Sequence, residues 1–162
     1  MLATAVAFWQ VILAVHIAAV VVAFGVMFVY PLAGFASARV DPRALPSLHR
    51  MQQRIGRTMV NPGLVVVLLA GIYLTFELHQ WSSFFAQWGV AITIVLGGIE
   101  GAFRIPREGK LARLAERDLA APGEQQPGLS AEYQNLAKQV RIVGGAMSAL
   151  VLITIYLMTV QA

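Results

Sequence analysis

Cysteine is absent from the 162 residues, which excludes disulfide bonds, thiolate metal sites and thiol redox chemistry. Charge is scarce. Asp, Glu, Lys and Arg make up 12% of the chain, against ~25% in a soluble domain. No Lys or Arg precedes Arg39, so the N-terminus lacks the basic region that opens a secretory signal peptide. No HExxH, paired Glu-x-x-His or other multidentate metal motif occurs, and there is no internal repeat. What is present is apolar: 58% of residues are hydrophobic, more than a soluble core of this length can hide. An integral membrane protein is the class these proportions select.

Four apolar segments predict an all-α, integral membrane four-helix bundle in one domain covering residues 1–162, with spans over about 6–35, 58–77, 86–104 and 139–160. The first run exceeds a signal-peptide core of roughly 7–15 residues and is read as a retained span. All twelve basic residues lie from Arg39 to Arg141, in the first and third connections and at the start of the fourth span. Because Lys and Arg stay cytoplasmic, both termini are expected outside, in a multi-pass protein of the bacterial inner membrane. Trp9, Trp81 and Trp88 fall at the expected outer interface, where indole is favoured. The excess of positive charge then reflects topology, and nucleic-acid binding need not be invoked.

The connections carry helical patterns. Leu45 to Arg57 reads as a short cytoplasmic amphipathic helix with Arg50, Arg54 and Arg57 on one face, suited to anionic lipid or another anionic ligand. Arg107 to Leu119 reads as a second. Ala121 to Gly128, APGEQQPG, reads as a flexible linker, and Ser130 as the cap of the last helix. Gly97 with Gly101 and Gly144 with Ser148 stand four residues apart, a spacing that lets helices approach closely, within the bundle or against a second copy or partner span.

Two polar positions stand inside the spans. His16 interrupts ILAVHIAAVVVAF and shares a face with Trp9, Ala23 and Met27; that face is expected to point into the bundle, because an imidazole facing lipid leaves its N–H unpaired. Its role is either a helix–helix hydrogen bond or a ligand to haem iron or metal. Glu100 lies four residues before Arg104, so the two form either an i, i+4 ion pair or a proton or substrate site. His49 belongs to the basic end and cannot meet His16; His79 belongs to the opposite end.

ILAVHIAAV, then Met51-x-x-Arg54 with Pro62-Gly63 after it, resembles the HemJ-type protoporphyrinogen oxidases. It is also similar to copper-resistance D-like membrane proteins and to a predicted membrane protein family of unknown function. The likeness spans roughly Phe8 to Leu114. It implies a small helical bundle and, in the HemJ type, a haem b ligated by the first-span histidine, here His16. The HemJ pattern has a lysine early in span three; Ile92 stands near that place and no span contains a lysine. The resemblance therefore implies a haem- or tetrapyrrole-associated membrane protein more than a porphyrinogen oxidase. The competing expectations are a non-enzymatic accessory subunit of a membrane complex and a small-solute or copper permease.

Overall fold

The computed structural model describes residues 6–120 and 128–161, without the side chains of residues 31, 33–40 and 161. Among the described residues there are helices and turns but no strands, and four helices are long and apolar enough to cross a membrane. The expected linker at 121–128 falls outside the described residues except for Gly128.

Helix α1 (Phe8–Val40) opens with Gln10 Oε1 accepting from the Ala7 amide at 3.0 Å. Its 33 residues reach about 50 Å at ~1.5 Å per residue, well beyond a ~30 Å hydrocarbon layer. Asp41 ends the connection: its carboxylate accepts from the Arg43 amide at 2.9 Å, and Pro42 supplies the fixed φ of a first turn. Helix α2 (Leu45–Ile55) follows and runs into α3 (Asn61–Glu77) through a π-helical turn, Gly56–Val60. The same construction recurs in the next hairpin arm. Helix α4 (Phe84–Gly98) runs into α5 (Ile105–Ala120) through a second π turn, Ile99–Arg104. Each π turn lies just ahead of a proline, Pro62 or Pro106. A proline in a helix lacks its amide hydrogen and collides with the carbonyl four residues earlier; the wider π turn relieves that collision without ending the helix.

The second connection between spans, from α3 to α4, is a tight one. His79 takes φ 54°, and the Gln80 amide returns to the Thr75 carbonyl at 2.9 Å, a left-handed helix stop. Helix α6 (Ala131–Gln161) begins at Ser130, whose hydroxyl accepts from the Tyr133 amide at 3.3 Å, as its sequence position predicts.

Two apolar cores result. The first joins α1, α3, α4 and α6 through Ala23, Met27, Leu64, Leu96, Met147 and Val151. The second joins α2, α5 and α6 through Leu45, Leu111, Leu114, Ala115, Tyr133 and Val140. Their existence adds to the sequence reading of the amphipathic helices. The amphipathic helices do not lie singly along a lipid surface. They are extensions of spans two and three, and they spend their apolar faces on each other and on α6. Arg50 pairs with Glu116 across the α2–α5 contact, so it is committed within the fold, whereas Arg54 and Arg57 are exposed.

Aromatic contacts gather at the end away from the basic helices. Phe8 meets Tyr73 edge-on at 5.8 Å, Phe76 stacks on Trp81 at 4.8 Å, and Trp88 Nε1 donates to Thr154 Oγ1 at 3.1 Å. Elsewhere on the spans large apolar side chains such as Val21, Leu69 and Ile142 point outward, a surface suited to lipid rather than water.

Candidate functional site

Polar chemistry concentrates where the two cores meet. Glu100, Arg104 and Glu108 are spaced four apart through the second π turn and into α5, so they stand one above another. Arg104 Nε donates to Glu100 Oε2 at 2.6 Å, and Nη1 donates to Glu108 Oε1 at 3.0 Å. The triad is out of solvent: Glu100 is 0% exposed, Glu108 1% and Arg104 4%. The Tyr30 ring of α1 lies 3.8 Å from the guanidinium carbon, a cation–π contact that gains strength from desolvation.

Helix α2 supplies the next residues. Its buried stripe is Leu45, His49 and Gln52, so the side that packs on α5 carries an imidazole and an amide. His49 Nδ1 lies 2.7 Å from Glu108 Oε2, and Nε2 lies 2.8 Å from the Tyr133 hydroxyl of α6. Gln52, with its amide nitrogen turned to the carboxylate, donates to the two Glu108 oxygens at 3.0 and 3.2 Å. Glu108 thus accepts from three side chains on two helices, which stabilises a buried carboxylate where an unpaired one would be prohibitive. Tyr133 is brought over His49 by ties between α5 and the start of α6: Lys110 to Glu132 at 2.9 Å, and the Ser130 amide to Asp118 at 2.8 Å.

Two buried carboxylates, Glu100 and Glu108, face the buried Arg104 guanidinium, and Arg141 borders the same space. Nδ1–H of His49 donates to Glu108, and Nε2 accepts from the Tyr133 hydroxyl.

These groups line a cavity of about 340 Å³, walled by Leu45, Leu111, Val140 and Met147 and edged by Arg141. Two polar atoms in the triad are left over: Arg104 Nη2 and Glu100 Oε1 are buried without a hydrogen-bond partner among the described residues. Glu100 Oε1 rests against Gly56 of the first π turn, where an added Cβ would come within 2.9 Å. Both π turns thus meet at the triad.

His16 lies elsewhere. Its ring sits on Gly71 of α3, whose added Cβ would be 3.2 Å from the imidazole, and it interacts with the backbone of Val67. Nδ1 is buried and unpartnered. The face it shares with Ala23 and Met27 does turn inward, as its spacing predicts. The surroundings do not fit a haem. The ring packs directly on a helix backbone, and it lines neither the cavity above nor the groove between α3 and α4. Met147, a candidate second ligand by depth, lines the polar cavity, and Met158 packs on Gly89.

The expected small-residue contacts divide. A Cβ added at Gly101 would lie 3.1 Å from the Asn61 side chain and one at Gly97 3.9 Å from Leu64, whereas a Cβ on Gly144 would meet nothing within 4 Å. Of the sequence-derived candidates, the structure brings Glu100 and Arg104 together. His16 lies outside their cluster, against α3, and Arg54 and Arg57 stay on the surface. His49, Gln52, Glu108 and Tyr133 complete the cluster and were not singled out from the sequence. One signal was legible: Glu100-x-x-x-Arg104-x-x-x-Glu108 is two consecutive ion-pair spacings.

A family model described as a predicted integral membrane protein (DUF2269) matches residues 10–162, and the chain belongs to that family. No curated protein and no solved structure matches. Of the likenesses read from the sequence, the match bears on the predicted membrane family alone.

Proposed function

We propose that this DUF2269 member is a membrane-embedded binding protein that takes a small amphiphilic molecule into the cavity between α2, α5 and α6. The observation that carries this reading is the unpartnered Arg104 Nη2 on a buried residue that lines the cavity. A buried donor without an acceptor costs about 1–3 kcal/mol, and ionisable groups at membrane depth mark functional sites. A ligand oxygen would satisfy it. An anionic head is not called for, because the two carboxylates already match the Arg104 and Arg141 guanidiniums that line the cavity. A neutral acceptor, such as a carbonyl oxygen, fits better, with its apolar body against Leu45, Leu111 and Val140. The 340 Å³ volume falls within the ~300–1,000 Å³ range of small-molecule sites. In this reading the protein sits in a bacterial inner membrane, and the Lys and Arg bias supports a cytoplasmic basic end with both termini outside.

The test is a cavity-filling variant. Gly144 lines the cavity and a Cβ there meets open space, so Gly144→Leu takes up part of the volume while leaving every residue of the ion triad in the chain. Small molecules extracted from protein purified in mild detergent are identified by mass spectrometry for both forms. A neutral amphiphile enriched in the wild type and reduced about tenfold or more in the variant is the expected result, a loss of ~1.4 kcal/mol or more. Equal content in the two, at equal thermal stability, overturns the reading.

The haem expectation has a separate test. Because the ring of His16 packs on Gly71, protein from cells supplied with haem precursors is expected to show no stoichiometric Soret band. A band present in the wild type and lost in His16→Ala would restore iron ligation by His16.

A further inference from the structure

A second cavity lies on the other side of the first π turn and faces outward. It is a groove of about 810 Å³ between α3 and α4, with Val65, Leu68 and Ile94 among its walls, Gly97 in its lining and Arg57 at one end. Its own side chains leave it open: a Cβ on Gly97 would meet only the Leu64 methyl at 3.9 Å.

We infer that this groove seats one anionic phospholipid, with its phosphate at Arg57 and one acyl chain along α3 toward Leu68. Four observations converge. Arg57 and the neighbouring Arg54 are exposed, and neither makes an ion pair among the described residues; Arg43, Arg107, Arg113 and Lys138 likewise make none, but of them all Arg57 alone lines the groove. The side chain of Asn61, one turn beyond Arg57, packs beside Gly101 and makes no hydrogen bond among the described residues; it lines the groove and offers a donor to an ester or phosphate oxygen. Beyond Asn61 the lining turns apolar, apart from the Thr93 hydroxyl, which is already spent on the Gly89 carbonyl. The dimensions also match. Arg57 to Leu68 is eleven residues, about 16 Å of helix at ~1.5 Å per residue, and one leaflet of a ~30 Å hydrocarbon layer is about 15 Å deep. A cation at one end and an apolar trough one leaflet long are complementary to a headgroup and its chain.

The experiment is native mass spectrometry of the full chain, released from detergent containing equal phosphatidylglycerol and phosphatidylcholine. The wild type is expected to retain one phosphatidylglycerol in preference to phosphatidylcholine. Arg57→Gln should lower that preference about fivefold, the effect of one basic residue near an anionic surface. Gly97→Leu should lower retention of both lipids, because it fills the trough. Ile94→Trp, on the exposed wall, gives the same reading if Gly97→Leu fails to fold. Inorganic phosphate at millimolar concentration should not displace the lipid. Unchanged preference in Arg57→Gln, unchanged retention in the folded groove variant, or displacement by inorganic phosphate each overturns the proposal; the last would mark a simple anion site.

Discussion

Arg104→Met is expected to be the most damaging single substitution in this chain. It leaves Glu100 and Glu108 buried at 0% and 1% exposure with the guanidinium gone from between them. Breaking a buried charge set by removing one partner costs about 3–5 kcal/mol, a large share of what holds a domain of this size folded. The loss should appear as a lowered midpoint in thermal unfolding in mild detergent, or as failure to accumulate in the membrane. Arg104→Met combined with Glu100→Gln and Glu108→Gln removes the charges together, and such replacements are often near neutral. The triple variant should therefore recover most of the stability. A single variant that melts with the wild type would show that the guanidinium is not what neutralises the pair.

Gly56→Ala should be the second most costly change among those considered, against the ordinary preference of helices. In an open helix, Gly→Ala gains about 1 kcal/mol. At Gly56 the new methyl would stand 2.9 Å from Glu100 Oε1 and 3.0 Å from Ile105 Cγ1. Neither neighbour gives way easily: Glu100 is held by Arg104 at 2.6 Å, and Ile105 is 4% exposed. Overpacking of this kind costs about 1–3 kcal/mol. Gly145→Ala is the comparison, because a Cβ there meets nothing within 4 Å and should leave stability unchanged or slightly raised. Thermal unfolding of both in one detergent separates them; if Gly56→Ala is as stable as Gly145→Ala, the two π turns are not in the close contact described.

The spans were legible because lipid demands long apolar runs, and few other contexts do. The inward face of His16 was legible for a related reason, since an N–H cannot be left in hydrocarbon. The cluster was only half legible. Glu100 and Arg104 are neighbours on one helix, and local spacing finds such pairs. His49 and Glu108 are 59 positions apart, and His49 and Tyr133 are 84 apart; no periodicity records that kind of meeting. What the apolar stripes of α2 and α5 pack against was not legible, for a physical reason as well. A basic amphipathic helix has the same pattern whether its apolar stripe meets lipid or another helix. The polar members of the stripe, His49 and Gln52, are what distinguish the two, because lipid offers them no partner.

The π turns also set rotational phase. A π turn holds one residue more than the α-helical ladder needs, and one residue is about 100° of rotation about the helix axis at ~3.6 residues per turn. Were the same residues of Gly56–Val60 wound as regular α-helix, with none removed, α2 would be turned by that angle relative to α3. His49 and Gln52 would then swing off the face that meets α5, and the exposed arginines of α2 would swing toward it. The prolines that break the hydrogen-bond ladder of these two spans are thus also what aims the polar cluster at the interior.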